Sequence, residues 1–252
     1  MRILFCFFFL TGWLAAEPQV KARLLADQTA VVPGGRLRLG VLLEPAEHWH
    51  TYWKNAGDSG LPSEFSWKLP KGWSPGPLLW PLPGRFEVMG SVLYGYDQAA
   101  LHQMTLRLPA GLKPGQKVTL GVEASWLACN EEACVPGKAE LQLVLPVAAR
   151  AVASAEQARF DAVQAPLAGN FKVSRSGQEL LLETDLPLAQ GVFFPDPGLQ
   201  IVDAAPQKAE GPPLRLRLQA APRTKALTRL QGLLVVGEGK ARRGYMVDQP
   251  VP

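Results

Sequence analysis

The chain has 252 residues, 47% of them hydrophobic and 19% charged, with 24 Gly and 23 Pro. That apolar content argues against a disordered chain, and so many scattered prolines argue against a helical bundle, because proline is costly inside helices. The formal net charge is only +4, and Lys and Arg are dispersed without an aromatic-interleaved basic stripe, so nucleic acid is not an expected partner.

At the N-terminus, Met1-Arg2 precedes an apolar run from Ile3 to Leu14, then Ala15-Ala16 and Glu17-Pro18. A short positive start, an apolar stretch and small residues at its exit predict a secretory signal peptide over residues 1–16, cleaved after Ala16. The run is short for a membrane span; an uncleaved N-terminal anchor is the alternative. Of the three cysteines, Cys6 lies inside this leader, so cleavage leaves Cys129 and Cys134 as one pair in an exported protein.

From Glu17 to Val147 short runs alternate apolar and polar residues, the mark of half-buried strands: Arg36 to Leu43, Lys117 to Trp126 and Glu140 to Leu145. Pro33-Gly34-Gly35, Lys113-Pro114-Gly115 and Pro136-Gly137 read as turns. The Pro-, Gly- and Trp-rich stretch from Thr51 to Gly95 alternates less regularly and reads as long loops laid over a sheet. Residues 148–168 are Ala-rich; Ser154 with Gln157 forms a capping-box pattern, and Phe160 with Val163 a short apolar face, predicting a linker with one short helix. Alternation resumes in Glu179 to Glu183, Leu214 to Leu218, Leu230 to Val236 and Arg243 to Val247, with Gly237-Glu238-Gly239 as a hairpin turn. The expected fold is all-β: two immunoglobulin-like antiparallel β-sandwich domains, over 17–147 and 169–252, joined by the 148–168 linker.

The sharpest chemical signal is Cys129-Asn130-Glu131-Glu132-Ala133-Cys134, where a strand ends at the first cysteine and another begins near the second. Four intervening residues are a common hairpin length, so the sulfurs could face each other, and export makes a disulfide the default state. A loop this short gains only about 2 kcal/mol from the crosslink. From chemistry alone a structural staple and a redox-active pair both stand, and zinc is disfavoured with only two thiols and scattered His48, His50 and His102. The pair lacks the Cys-x-x-Cys at a helix N-terminus that depresses a thiol pKa, and Glu131 and Glu132 disfavour a thiolate. The redox role left open is relay, in which a partner's thiolate attacks the disulfide or the dithiol reduces a more oxidising partner.

His48 and His50 would point the same way along a strand, but without a third ligand they read as packing residues. No Gly-x-Ser-x-Gly elbow or phosphate-binding loop occurs. The Trp and Tyr between 49 and 96 could form a sugar-binding face, although a sandwich absorbs such residues routinely. Lys240 to Arg243 reads as a solvated hairpin end.

His48-Trp49-His50-Thr51-Tyr52-Trp53-Lys54-Asn55-Ala56-Gly57-Asp58-Ser59-Gly60-Leu61-Pro62, Trp80-Pro81, Phe86, Tyr94-Gly95-Tyr96 and Trp126-Leu127 through Cys129, Cys134 and Pro136-Gly137 together resemble one family. It is the periplasmic N-terminal domain of the thiol:disulfide interchange protein DsbD, especially its ScsB-like relatives. The resemblance is strong over 19–147 and weaker over 171–247, where Phe193-Phe194-Pro195 and Arg243-Gly244-Tyr245 are similar to the second domain of ScsB-like proteins. It implies an immunoglobulin-like module in the periplasm, with a cysteine pair that passes electrons from a membrane-embedded domain to thioredoxin-like periplasmic proteins. Cys129 and Cys134 match that pair, making the protein a protein-disulfide reductase type of oxidoreductase with no bound cofactor. A cap loop shields the pair in such proteins; the segment Phe86 to Tyr96 corresponds to it, with Phe86, Met89 and Tyr94 as candidate shields and Phe86 preferred. The chain stops at Pro252 without a membrane domain, which leads to the expectation of a separate membrane electron donor of the DsbD/CcdA type. Which cysteine is attacked is left open, with Cys134, beside Val135-Pro136, expected to be the more shielded. The rival reading is a non-catalytic binding protein with a structural disulfide.

Overall fold

The computed structural model describes residues 18–222 and 227–252; the expected leader, 1–16, lies outside them. Ten strands come first: β1 (Val20–Ala26), β2 (Arg36–Pro45), β3 (Thr51–Gly57), β4 (Glu64–Lys68), β5 (Ser74–Pro75), β6 (Gly84–Val88), β7 (Ser91–Tyr96), β8 (Ala100–Arg107), β9 (Lys117–Cys129) and β10 (Cys134–Pro146). After helix α1 (Gln157–Ala162) come β11 (Phe171–Ser176), β12 (Glu179–Thr184), β13 (Val192–Pro195), β14 (Lys208–Glu210), β15 (Arg215–Gln219), β16 (Arg229–Val236) and β17 (Arg243–Pro250). All ladders between these strands are antiparallel.

The first sandwich packs sheet β1-β2-β8-β5 against sheet β10-β9-β4. Strand β2 shows why: Leu37, Leu39, Val41 and Leu43 are fully buried against Leu120 and Val122 of β9, while the intervening Arg36 and Arg38 point away. Each aliphatic side chain buried this way contributes about 1.5–3 kcal/mol. The second sandwich packs β11-β12-β15-β14 against β13-β16-β17, with Leu180, Leu182 and Leu216 facing Phe193, Leu234 and Val247.

Sheet β13-β16-β17 is apolar on both faces. Phe193 and Leu234 enter the second core, whereas Phe194, Leu233 and Val235 pack with Trp53, Val92, Tyr94 and Tyr96 of the first half. That double burial explains the nearly unbroken apolar run from Leu230 to Val236. Polar contacts reinforce the junction: Asn55 Nδ2 donates to the Pro195 carbonyl (2.9 Å), Tyr94 Oη to Asp203 Oδ1 (2.9 Å) and Arg85 to the Asp203 carbonyl (3.2 Å). Arg242, read as part of a solvated hairpin end, is instead half-buried and donates to the Pro83 carbonyl.

Three other expectations are corrected. The stretch from Thr51 to Gly95 is not loop laid over a sheet: it holds strands β3 to β7, and β3-β7-β6 form a sheet of their own. Its alternation is hidden because Thr51, Tyr52 and Trp53 are consecutively buried between layers and the β3–β7 register shifts between Tyr52 and Gly57. Pro136-Gly137 is not a turn but lies inside β10, opposite Leu127 and Trp126. A proline is tolerated there because β10 is an edge strand, so its missing donor faces no neighbour. Finally, Ser154 makes no capping box. Its hydroxyl donates to the Ala26 carbonyl (2.7 Å) and accepts from Glu156 N (3.2 Å), while the N-cap is Glu156. Phe160 is fully buried against Leu42 and Leu101, so the helix is strapped onto the first sandwich.

His102 on β8 is fully buried among the rings of Phe65 (5.0 Å), Trp80 (4.8 Å) and Tyr96 (5.5 Å). Neither ring nitrogen has a well-aligned hydrogen-bond partner, and burial pulls its pKa down to about 3. The folded state therefore holds a neutral imidazole where the unfolded chain takes up a proton below about 6.5. Stability owed to this residue is fully present above about pH 6.5 and declines as the pH falls toward 3, by an amount of order a few kcal/mol. His102→Phe should flatten that part of the stability curve, measured by urea unfolding between these pH values; an unchanged slope would contradict the assignment. At the junction, Tyr94→Phe leaves the buried side of Asp203 without its donor and should cost about 1–3 kcal/mol in the same assay.

Candidate functional site

The long β9–β10 hairpin carries Cys129 and Cys134 directly opposite each other at its tip. The backbone N–H and C=O of Cys129 both point away from β10: Cys129 N donates to the His50 carbonyl (3.0 Å) and His50 N to the Cys129 carbonyl (2.9 Å). Cys129 and Cys134 are therefore a non-hydrogen-bonded pair, the kind whose Cα atoms approach closely. The separation here is 4.1 Å, and the two sulfurs are joined as a disulfide. Asn130 shapes the connecting loop: its Oδ1 accepts from the N–H groups of Glu132 (2.9 Å) and Ala133 (2.7 Å), and its own N–H donates to the Ala133 carbonyl (2.9 Å).

The pair is asymmetric. Cys129 is 2% exposed, in an apolar cluster with Tyr52, Ala56 and Leu93, whereas Cys134 is exposed on the rim beside exposed Glu131 and Glu132. This reverses the expectation that Cys134 would be the more shielded. Val135-Pro136 runs along an open sheet edge, while Cys129 ends an inner strand flanked by His50 and β10.

His50, Cys129 and Cys134 form a row across three chain segments, and side chains directly opposite in antiparallel pairs share a face. Two residues along from His50, Tyr52 places its hydroxyl 3.3 Å from His50 Nε2. Phe86 stacks on the His50 ring (centroids 6.2 Å, interplanar 22°) and packs against the Cys129 cluster with Val88 and Leu127. Burial lowers the His50 pKa, partly offset by Asp97, and raises that of Tyr52. The ionisable groups on the buried side of the pair are thus held in their neutral forms.

The three candidate shields part company. Phe86 lies over the site. Its ring also occupies the space a Cβ on Gly84 would need (2.7 Å from Cζ), so glycine there lets the aromatic fold inward. Met89 sits in the two-residue turn between Val88 and Ser91, has a φ of 51° and is 91% exposed. Tyr94 is fully buried at the junction with the second sandwich, its hydroxyl held by Asp203. The hairpin that carries Phe86 is therefore anchored at its base by residues of the second half. Of the histidines, His48 is not on a strand with His50 but in an exposed turn with a φ of 66°, 3.5 Å from Glu47, so the two do not form a ligand pair. Among the described residues no cluster of three His, Cys, Asp or Glu side chains could hold a metal. Sequence reasoning read His50 as a packing residue and placed neither it nor Tyr52 beside the cysteines; their two-residue spacing was the available signal.

The N-terminal family of thiol:disulfide interchange protein DsbD matches residues 21–146, half of the chain. The structure is similar to the N-terminal periplasmic domain of ScsB from Proteus mirabilis, with a TM-score of 0.65 and 19% identity, over 95% of this chain and 97% of that one. Far weaker is the likeness to the major pilin subunit BcpA of Bacillus cereus, with a TM-score of 0.32 and 9% identity over 51% of this chain and 39% of that one. No curated protein matches the sequence. Among the described residues no helix is long and apolar enough to cross a membrane. With its disulfide at the hairpin tip and the family match spanning both cysteines, this chain belongs to the DsbD N-terminal family.

Proposed function

We propose that the protein is a periplasmic thiol–disulfide exchange module that relays electrons between a membrane reductant and thioredoxin-like proteins through Cys129 and Cys134. In this reading residues 17–147 form the exchange module, and residues 169–252 form the sandwich that anchors the Phe86 hairpin. The leader-like residues 1–16 and the family membership support export. The observation that carries the proposal is the asymmetry of the pair: one cysteine exposed on the rim, the other buried in an apolar cluster under Phe86. A bond that served only as a staple, worth about 2 kcal/mol across so short a loop, has no need of an exposed partner or an aromatic lid.

The chemistry is direct exchange. A partner thiolate attacks Cys134 Sγ, forming a mixed disulfide, while the Cys129–Cys134 bond breaks and its electron pair leaves on Cys129 Sγ. Attack by the partner's second thiol on the mixed disulfide then frees Cys134, leaving this protein as the dithiol and the partner oxidised. The reverse sequence delivers electrons to a more oxidising partner. Glu131 and Glu132 disfavour a free thiolate at the rim, so Cys134 reacts more slowly than the low-pKa thiol of a self-activated catalyst, without being inert.

Cys129→Ser should trap a mixed disulfide with a thioredoxin-like protein through Cys134 in cells of the source organism, and Cys134→Ser should trap about tenfold less, because its remaining thiol is buried. Failure of both variants to trap, with a potential for the pair below about −300 mV, would instead identify a structural bond. Phe86→Ala should speed reduction of the disulfide by dithiothreitol several-fold without lowering the unfolding midpoint by more than its packing share, about 1–3 kcal/mol.

A further inference from the structure

Resting on the exchange reading, we propose that His50 is the proton acceptor for Cys129 when Cys129 closes the mixed disulfide. Three observations on different elements place it there. The reciprocal backbone hydrogen bonds to Cys129 make the two residues a directly opposed pair, so their side chains leave the sheet on the same face at neighbouring positions. The Tyr52 hydroxyl, 3.3 Å from Nε2, orients the ring: with Nε2–H donating to that oxygen, Nδ1 remains an acceptor. Phe86 stacks on the imidazole and packs against the Cys129 cluster, keeping water from both.

The groups facing His50 explain its state. Tyr52 comes from the adjoining β3, Cys129 from β9 and uncharged Phe86 from β6; among the described residues Asp97, on the exposed segment after β7, is the charge that acts on it. Glu47 and His48 in the preceding turn lie against each other. Burial outweighs Asp97, so the imidazole is neutral near pH 7, the form that can take a proton. This matters because Cys129 is itself buried, where a thiol does not ionise readily.

In the step, the Cys129 thiol gives its proton to the His50 imidazole as its sulfur attacks Cys134 Sγ of the mixed disulfide. The Cys129–Cys134 bond forms, the bond from Cys134 to the partner's sulfur breaks, and the partner leaves as a thiolate. The imidazolium then loses its proton to solvent. In the opposite direction the imidazolium protonates Cys129 as it leaves.

The test uses the reduced full chain and 4,4′-dithiodipyridine. Cys134 releases one thiopyridone on forming the mixed disulfide, and Cys129 releases a second on closing it. In the wild type the second phase should rise with pH through an inflection below about 6.5, the ordinary histidine value. His50→Gln and His50→Phe should slow the second phase at least about tenfold at neutral pH and move its inflection to the thiol range near 8.5, with the first phase unchanged. A wild-type second phase that follows only a thiol inflection overturns the assignment without any variant being needed, as do variants whose second phase is unaltered in rate and pH profile. A wild type that releases neither equivalent overturns the exchange reading itself, so the two failures are distinguishable.

Discussion

The site depends on where the backbone of Cys129 sends its hydrogen bonds. Both its N–H and its C=O engage His50, so neither is available to Cys134, and the two cysteines face each other as a non-hydrogen-bonded pair 4.1 Å apart at Cα. That pairing sets the sulfurs within bonding reach, ties the segment leading into β3 onto the end of β9, and lays His50 beside the buried cysteine. The sheet β3-β7-β6 is thereby placed over the hairpin tip, and with it the Phe86 ring.

The second sandwich fits this arrangement as a support. Because sheet β13-β16-β17 is apolar on both faces, it serves its own core and a second contact at once, meeting Trp53 and Tyr94 edge-on through Phe194 (6.0 and 5.1 Å). Asp203 receives both Tyr94 and Arg85, the latter a neighbour of Phe86 on β6. The hairpin that carries Phe86 is held at its base by another part of the chain while its tip, at Met89, stands in solvent.

Electrostatics divides the site into two sides. Toward the interior, burial holds His50 and Tyr52 neutral and Cys129 is enclosed by apolar side chains. Toward solvent, Cys134 shares its loop with two exposed carboxylates. The proposed exchange needs a proton on one side and a visiting sulfur on the other, and the pair sits where these environments meet.

The all-β class and most strands of both sandwiches were legible because one buried face per strand leaves a period of two, as in Arg36 to Leu43 and Leu214 to Leu218. The Cys129–Cys134 pair was legible from its spacing and from the exclusion of Cys6. Where segments are buried on both faces, as at Thr51 to Trp53, the period vanishes and a strand carries no more local signal than a loop. Pro136-Gly137 carries turn residues, yet only its place on an open edge shows that a strand can accept them. Local sequence beside each cysteine suggested the wrong one was shielded, because burial depends on what the fold brings from elsewhere: His50, Phe86 and Leu93 are 79, 43 and 36 positions from Cys129. The sequence by itself determined the all-β class, the strands buried on one face and the Cys129–Cys134 pair. Tertiary structure decided which sulfur faces solvent and which histidine lies beside the other, since both follow from pairings between distant segments that no local pattern encodes.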